Sequence, residues 1–573
     1  MKTRRFTTAM SSLLHAGRAW RGLAEVRRSA SRGLWLLPGI ILLSILTGAN
    51  GVAAADLPQS PFITNAPIPK RGGTLRLALP TDVTSLDPAL AWDARSEPFV
   101  MLLYQGLLEY DDGLNLLPCL ATNWDISEDK RIYTFHLRPG VRFSNGRELV
   151  ASDFVFSLER NLVPSMAAGA ENGGIVGARD FLAGKAPSVR GLRAPRSDTL
   201  VIELEQPDLS FLYILTQPAA SVVPREEVER FGKSFGSHPV GTGPYVLTQW
   251  RRGVKMRFER NPLSSQADRQ NLDAIEVMVG GDSTLHLMMF ERGELDIANI
   301  SGLGIPKPDL TRVEGSPRWH NLIERMQAAA TVFLWLNTEM EPFTNRLVRQ
   351  AMNYAIDKAK VVRLLHGMAT PANGILPSTM PGFNTNLAGY PFDTAKARQL
   401  LAASGHAADL SCKLWFEAGN ELRSTMASAI QFDLAQAGIT AQLNPVSFAP
   451  LVDSMGRRRT VQCVISAYAQ DYPDPSDFLD SGFNGNRITD QDCGNYSFYN
   501  SPQVNKLLAE AAACKDPGRR LRIYQSAEQA IVDDAPVVPL CQQYAYALRQ
   551  PWLHGVHLHP VLYFRFERMW IER

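Results

Sequence analysis

Apolar residues recur at every second position in several short runs of this chain. Tyr133, Phe135 and Leu137 alternate with Thr134, His136 and Arg138, the period of a strand buried on one face. The same reading places strands at 73–79 and 199–204, and shorter apolar stretches add strands at 256–258, 275–279, 333–337, around Leu414, at 441–443 and at 463–466. Spacings of three and four mark amphipathic helices at 348–357, 395–403 and 423–436, and a helix-like stretch over 283–292 stops at Gly293. Strand and helix periods interleave through the second half, which predicts a layered α/β unit there.

Turn residues punctuate this pattern. Pro139-Gly140 and Ser144-Asn145-Gly146 predict that the strand ending at Leu137 folds back as a hairpin. Ala151-Ser152-Asp153 precedes Phe154, Val155, Phe156 and Leu158, so a helix packed on the hairpin is expected, capped by Ser152 or Asp153. Gly241 and Gly243 flank Thr242 and point to closely packed backbone. No lysine and helix follow them, which excludes a phosphate loop. Small residues dominate 162–194, either as a surface loop or as a pocket wall.

Composition adds an address. The chain has 573 residues, 45% hydrophobic and 20% charged, as expected of a soluble protein with more than one domain. Its first 32 residues carry eight basic side chains against Glu25, an apolar run covers 34–46, and Ala53-Ala54-Ala55 follows. Residues 1–55 thus read as a cleavable secretory signal with Asp56 as the mature start, and the proline-dotted segment 56–71 as a flexible leader. The apolar run falls short of the ~18 to 20 residues of a membrane span. A periplasmic protein is expected, with an uncleaved amino-terminal anchor as the other reading. Taking the eight basic residues and one acid from totals of 59 and 57 leaves 51 against 56, a net charge of −5. That balance lacks the basic footprint of a nucleic-acid partner. The six cysteines, at 119, 412, 463, 493, 514 and 541, show no metal-site spacing, and no pairing is assigned.

The densest candidate chemistry lies at 468–478, where Tyr468, Asp471, Tyr472, Asp474, Asp477 and Phe478 crowd around Pro473 and Pro475. The prolines forbid a helix through the middle, so a loop displays carboxylates beside aromatic rings. A buried carboxylate needs a positive partner, since an isolated buried charge costs several kcal/mol. The loop is a candidate cation site, while Asp474 and Asp477 are expected to cap turns. Arg457, Arg458 and Arg459 read as a solvated edge. His554, His557 and His559 form the one histidine cluster, without a neighbouring Asp, Glu or Cys to complete a metal shell. Gly281-Asp282-Ser283 lacks the glycine elbow of a hydrolase. Neither catalytic residues nor a metal or cofactor are expected.

The stretch 120–160, with Phe143-Ser144-Asn145-Gly146, Val150-Ala151 and Asp153-Phe154, resembles the signature of the bacterial family 5 extracellular solute-binding proteins, the oligopeptide- and dipeptide-binding receptors of ABC importers. Similar family runs are Leu86-Asp87-Pro88, Gly106-Leu107-Leu108, 239–245, the Arg349-Gln350-Ala351 helix ending at Ala355-Ile356-Asp357, and the helix before Gly405. The resemblance spans 72–573. It implies an α/β, two-lobed periplasmic-binding-protein fold with an extra domain, mixed sheets and a hinge. Domain I would be discontinuous (72–107, 235–335 and 545–573), domain II would cover 108–234 and domain III 336–544. It further implies a monomeric, non-enzymatic receptor that captures a peptide and delivers it to an ABC transporter permease.

In that family an aspartate three residues after an aromatic pairs with the ligand's α-ammonium, a position matched by Asp471 after Tyr468, which stands in place of the usual tryptophan. Tyr468 and Tyr472 would wall this site, and Trp92, following Leu86-Asp87-Pro88, falls where the family sends chain into the cleft. Some relatives carry an arginine six residues before the aspartate; here it is Ile465, which leaves the partner of a ligand carboxylate open. A non-peptide solute such as a metal complex or sugar, or a periplasmic sensor or enzyme on the same scaffold, stays as the alternative.

Overall fold

Thr74–Leu79 opens the first sheet, with Leu75, Leu77 and Leu79 buried as the alternation predicts. The computed structural model describes residues 69–91, 95–162, 174–298, 305, 307–405, 410–491, 493–561 and 563–572. The expected secretory signal at 1–55, the expected leader up to residue 68, and Trp92 therefore lie outside the described residues. Thr74–Leu79 runs parallel to Ala274–Val279, beyond which Lys255–Arg260 and Tyr245–Arg251 follow antiparallel. The helix Glu97–Leu103 covers this sheet, Phe99 stacking on Phe258 at 5.5 Å and on Phe566 at 6.0 Å. Ala545, Ala547, Phe564 and Ile571 complete the same core.

A second sheet is antiparallel throughout, in the order Ala121–Ile126, Ile132–Leu137, Thr199–Glu203, Leu192–Arg196. The helix Ala151–Leu162 buries Phe154, Leu158 and Leu162 in one core with Tyr133, Phe135, Leu200 and Ile202. Two local expectations are corrected here. Ile132–Leu137 does not fold back on the residues after it, because strands on both sides already fill its edges. Residues 141–149 close a small hairpin on themselves instead, Phe143 N–H donating to Arg147 O and Leu149 N–H to Val141 O, both at 2.9 Å. The helix also starts one residue before Ser152. Asp153 lies in its first turn and reaches back to accept from the Val150 N–H at 2.9 Å, the reciprocal half of a capping box, while holding Arg147 at 2.8 and 3.0 Å.

The third sheet is mixed and has seven strands. Leu410–Glu417 runs parallel to Ile439–Val446, reached through the helix Glu421–Ala437, and to Cys463–Ala469. Cys463–Ala469 is antiparallel to Ala330–Leu336, and that strand to Val537–Leu548. Two separate cores pack on this sheet, one around Leu334, Leu414 and Ile430, the other around Trp335, Leu451 and Tyr524. Val537–Leu548 is buried at every position. Its first half pairs with Ala330–Leu336 and its second with Ile323–Gln327, so one strand passes from the third sheet to the core of the first. No helix among the described residues is long and apolar enough to cross a membrane.

Candidate functional site

The acidic loop leaves the end of Cys463–Ala469 and folds onto the first turn of the helix Pro475–Phe483. Proline at the start of that helix gives up an N–H that would have no intrahelical acceptor. Asp474 is its N-cap, accepting from Ser476 N–H at 3.0 Å and Ser476 Oγ–H at 2.6 Å. Asp477, 1% exposed, accepts the Asp471 N–H at 2.9 Å, and its own carbonyl takes the Tyr468 hydroxyl at 2.9 Å. These bonds fix the loop, and Asp471 is left half-buried within it.

The structure places the three described candidates together and turns their side chains to different surroundings. Tyr468 packs with Phe478 at 5.0 Å in the core it shares with Trp335, and burial, then the charges of Asp477 and Asp471, hold its phenol well above the usual range. Tyr472 packs into the core of the second sheet, stacked on Tyr213 at 6.5 Å with the rings 7° apart. Asp471 lies between them in sequence, and its charge is felt by the buried phenol of Tyr496.

Asp474 does more than cap. Arg520, on the helix Pro517–Asp534, donates two bonds to its carboxylate, Nη2 to Oδ1 at 2.8 Å and Nη1 to Oδ2, and both residues are buried. Burial alone would lower the guanidinium's pKa; bonding to Asp474 raises it instead. Asp474 thus caps as expected and in addition holds a buried ion pair. Sequence alone does not single out Arg520, although one signal is present: it falls on the buried stripe with Ile523, Tyr524, Ala527 and Ile531. Arg487 is a second cation near the loop, paired with Asp480 and still 59% exposed.

Polar groups converge where the loop begins. The Gln470 N–H donates to Ala329 O and the Ala328 N–H to Gln543 O, both at 2.7 Å. The side-chain amides of Gln470 and Gln543 and the hydroxyl of Thr331 are buried without a protein partner. Unpaired buried polar groups are costly, so these side chains call for partners such as water or a ligand.

The other candidates resolve into structure. His554 stacks on Trp570 at 4.1 Å and meets Glu572 at 3.3 Å. His559 is buried, with Nε2 bonded to Asp111 O at 3.0 Å and Nδ1 accepting from Val561 N–H at 3.2 Å; burial pushes its pKa down to about 4. Among the described residues no cluster of three or more His, Cys, Asp or Glu could hold a metal. Arg458 pairs with Glu339 and Asp490 at the surface. A cavity of ≈ 80 Å³ beside Tyr104, Gln105, Tyr110 and Phe566 includes no residue of the loop.

Comparison with known proteins agrees with this architecture. The family profile described as bacterial extracellular solute-binding proteins, family 5 (middle) matches residues 115–490. Glutathione-binding protein GsiB of Escherichia coli (strain K12) is 28% identical over 498 residues, covering 86% of this chain and 93% of that protein. The solved clavulanic acid biosynthesis oligopeptide binding protein 2 superposes with a TM-score of 0.82 at 24% identity, over 88% of this chain and 96% of that one. The ABC transporter-associated periplasmic binding protein DppA from Helicobacter pylori, in complex with the peptide STSA, gives 0.74 at 25% identity, over 88% and 99%. By the extent of the family match and by its mixed α/β architecture, this chain belongs to the family 5 bacterial extracellular solute-binding proteins.

Proposed function

We propose that the protein is a periplasmic receptor that captures a peptide in the cleft at the 468–477 loop and delivers it to an ABC transporter permease as a monomer. The observation that carries this reading is the pairing of chemistries at the loop. A half-buried carboxylate, Asp471, follows Gln470 in the chain, and the amides of Gln470 and Gln543, whose backbones both bond to Ala328-Ala329, are buried without a partner in the protein. An α-ammonium answers the first and peptide amides answer the second. GsiB by its name binds glutathione, and the DppA structure holds a peptide, which supports the same ligand class. The lobes of this reading are 72–107 with 235–335 and 545–573, 108–234, and 336–544; the core of the second sheet, drawn from Leu107 to Val222 with Tyr472, supports the middle one.

Asp471 is the ammonium anchor in this reading, with Tyr468 and Tyr472 shielding it from water and Trp92 contributing to the cleft. Removing one member of a buried charge pair costs about 3 to 5 kcal/mol, so Asp471→Asn should weaken binding at least ~10-fold. Calorimetric titration with glutathione, trialanine and N-acetyl-trialanine tests this. Acetylation of trialanine should cost the wild type as much as the substitution does. If the acetylated peptide binds as tightly as the free amine, the carboxylate is not the anchor.

A further inference from the structure

Aromatic rings from three parts of the chain line up behind the loop. His559, near the C-terminal end, lies 6.2 Å from Tyr110; Tyr110 lies 6.3 Å from Tyr213; and Tyr213 lies 6.5 Å from Tyr472. The far end of this row is anchored, since His559 is bonded to Asp111 O and Tyr110 is fully buried. Tyr213 sits in the short helix Phe211–Ile214 packed on the core of the second sheet, half-buried, with Tyr110 and Tyr472 both in stacking range. Centroid separations of 4.5 to 7 Å are those of attractive ring pairs. The same segment brings the charge of Asp208 to bear on Arg520, the partner of Asp474.

We propose that Tyr213 is a positioning residue for the ligand site, holding the Tyr472 ring and through it the adjacent Asp471. The inference rests on the peptide-receptor reading and adds a residue from the core of the second sheet to it. Asp471 and Tyr472 share a peptide bond, so the ring's place sets the direction from which the Asp471 side chain leaves the backbone. On the other side the Asp471 N–H is tied to Asp477. The Tyr472 hydroxyl also meets Ser476 Oγ at 3.3 Å. These hydrogen bonds tie the loop to the helix that follows it, whereas the stack ties it to the core of the second sheet, and loss of the Tyr213 ring removes the stack alone.

The test uses three forms of the exported protein: wild type, Tyr213→Ala and Tyr213→Phe. Tyr213→Ala should lose roughly tenfold in trialanine affinity, by the worth of a ring pair at 1.4 kcal/mol per decade, and Tyr213→Phe should stay within about twofold because the ring carries the effect. In an Asp471→Asn background Tyr213→Ala should cost little more, since its action passes through that carboxylate. Deuterium exchange of ligand-free protein should rise over 471–477 in Tyr213→Ala and not in Tyr213→Phe. Unchanged exchange in Tyr213→Ala overturns the proposal, as does a loss of affinity that adds in full to that of Asp471→Asn. A wild type that binds neither trialanine nor glutathione sinks the peptide reading, and the exchange measurement then still decides the role of Tyr213.

Discussion

Glu528 accepts backbone N–H bonds from Ile375 at 2.8 Å and Leu376 at 2.9 Å, yet burial pushes its carboxyl up to about 7 from 4.5. A group raised in the folded state binds its proton more tightly there than in the unfolded chain. Its contribution to stability is therefore full below about 4.5 and is lost as pH rises through about 7. The loss amounts to about 3 kcal/mol at 1.36 kcal/mol per pKa unit. Glu528→Gln keeps an acceptor for the two N–H groups and cannot ionise. Urea unfolding at pH 5 and pH 8 should show the variant gaining on wild type at the higher pH, and parallel curves would remove Glu528 as the cause. Asp474 carries a different lesson. Its buried partner Arg520 means that neutralising it leaves an unpaired guanidinium, so the residue next to the proposed anchor holds the fold and is no neutral control for binding.

Gly243 and Gly438 separate two reasons for a glycine at the level of elements. A Cβ at Gly243 would run into the backbone of Leu102 and Leu103 at the end of the helix Glu97–Leu103, where neither side has a flexible group to yield. Gly438 closes the helix Glu421–Ala437 at φ +91 with open space around it. Gly438→Ala should cost about 1 kcal/mol, the conformational penalty alone, and Gly243→Ala at least about twice that, since the backbone must move. Thermal unfolding of both variants checks the order. The close approach at Gly243 could be read from glycines on both sides of Thr242, and strands such as Leu410–Glu417 could be read because one face is buried and the other wet. Partner choice was not legible in the same way. Ile132–Leu137 shows its buried face in its own residues, but which strands fill its edges depends on Thr199–Glu203, far along the chain. The Asp471 loop was visible from its prolines and carboxylates. Arg520 and Tyr213 were not assigned to it, because nothing local to either residue records what it meets across a core boundary.

At the scale of the molecule, a two-lobed receptor closing on a captured peptide expels cleft water and shortens. Small-angle scattering should show a smaller radius of gyration at saturating glutathione than without it, and an unchanged radius counts against closure. Val537–Leu548, which lends Val538 and Leu540 to one core and Ala545 and Ala547 to another, carries a further consequence. The core of the first sheet joins Leu75 and Leu77 to Phe564, Phe566 and Ile571, far apart along the sequence. Its native contacts therefore close a long loop, whose entropy is lost before burial repays it, so this core is slow to form. Until those distant segments meet, the apolar face of the first sheet is exposed, which leaves the half-formed core open to aggregation.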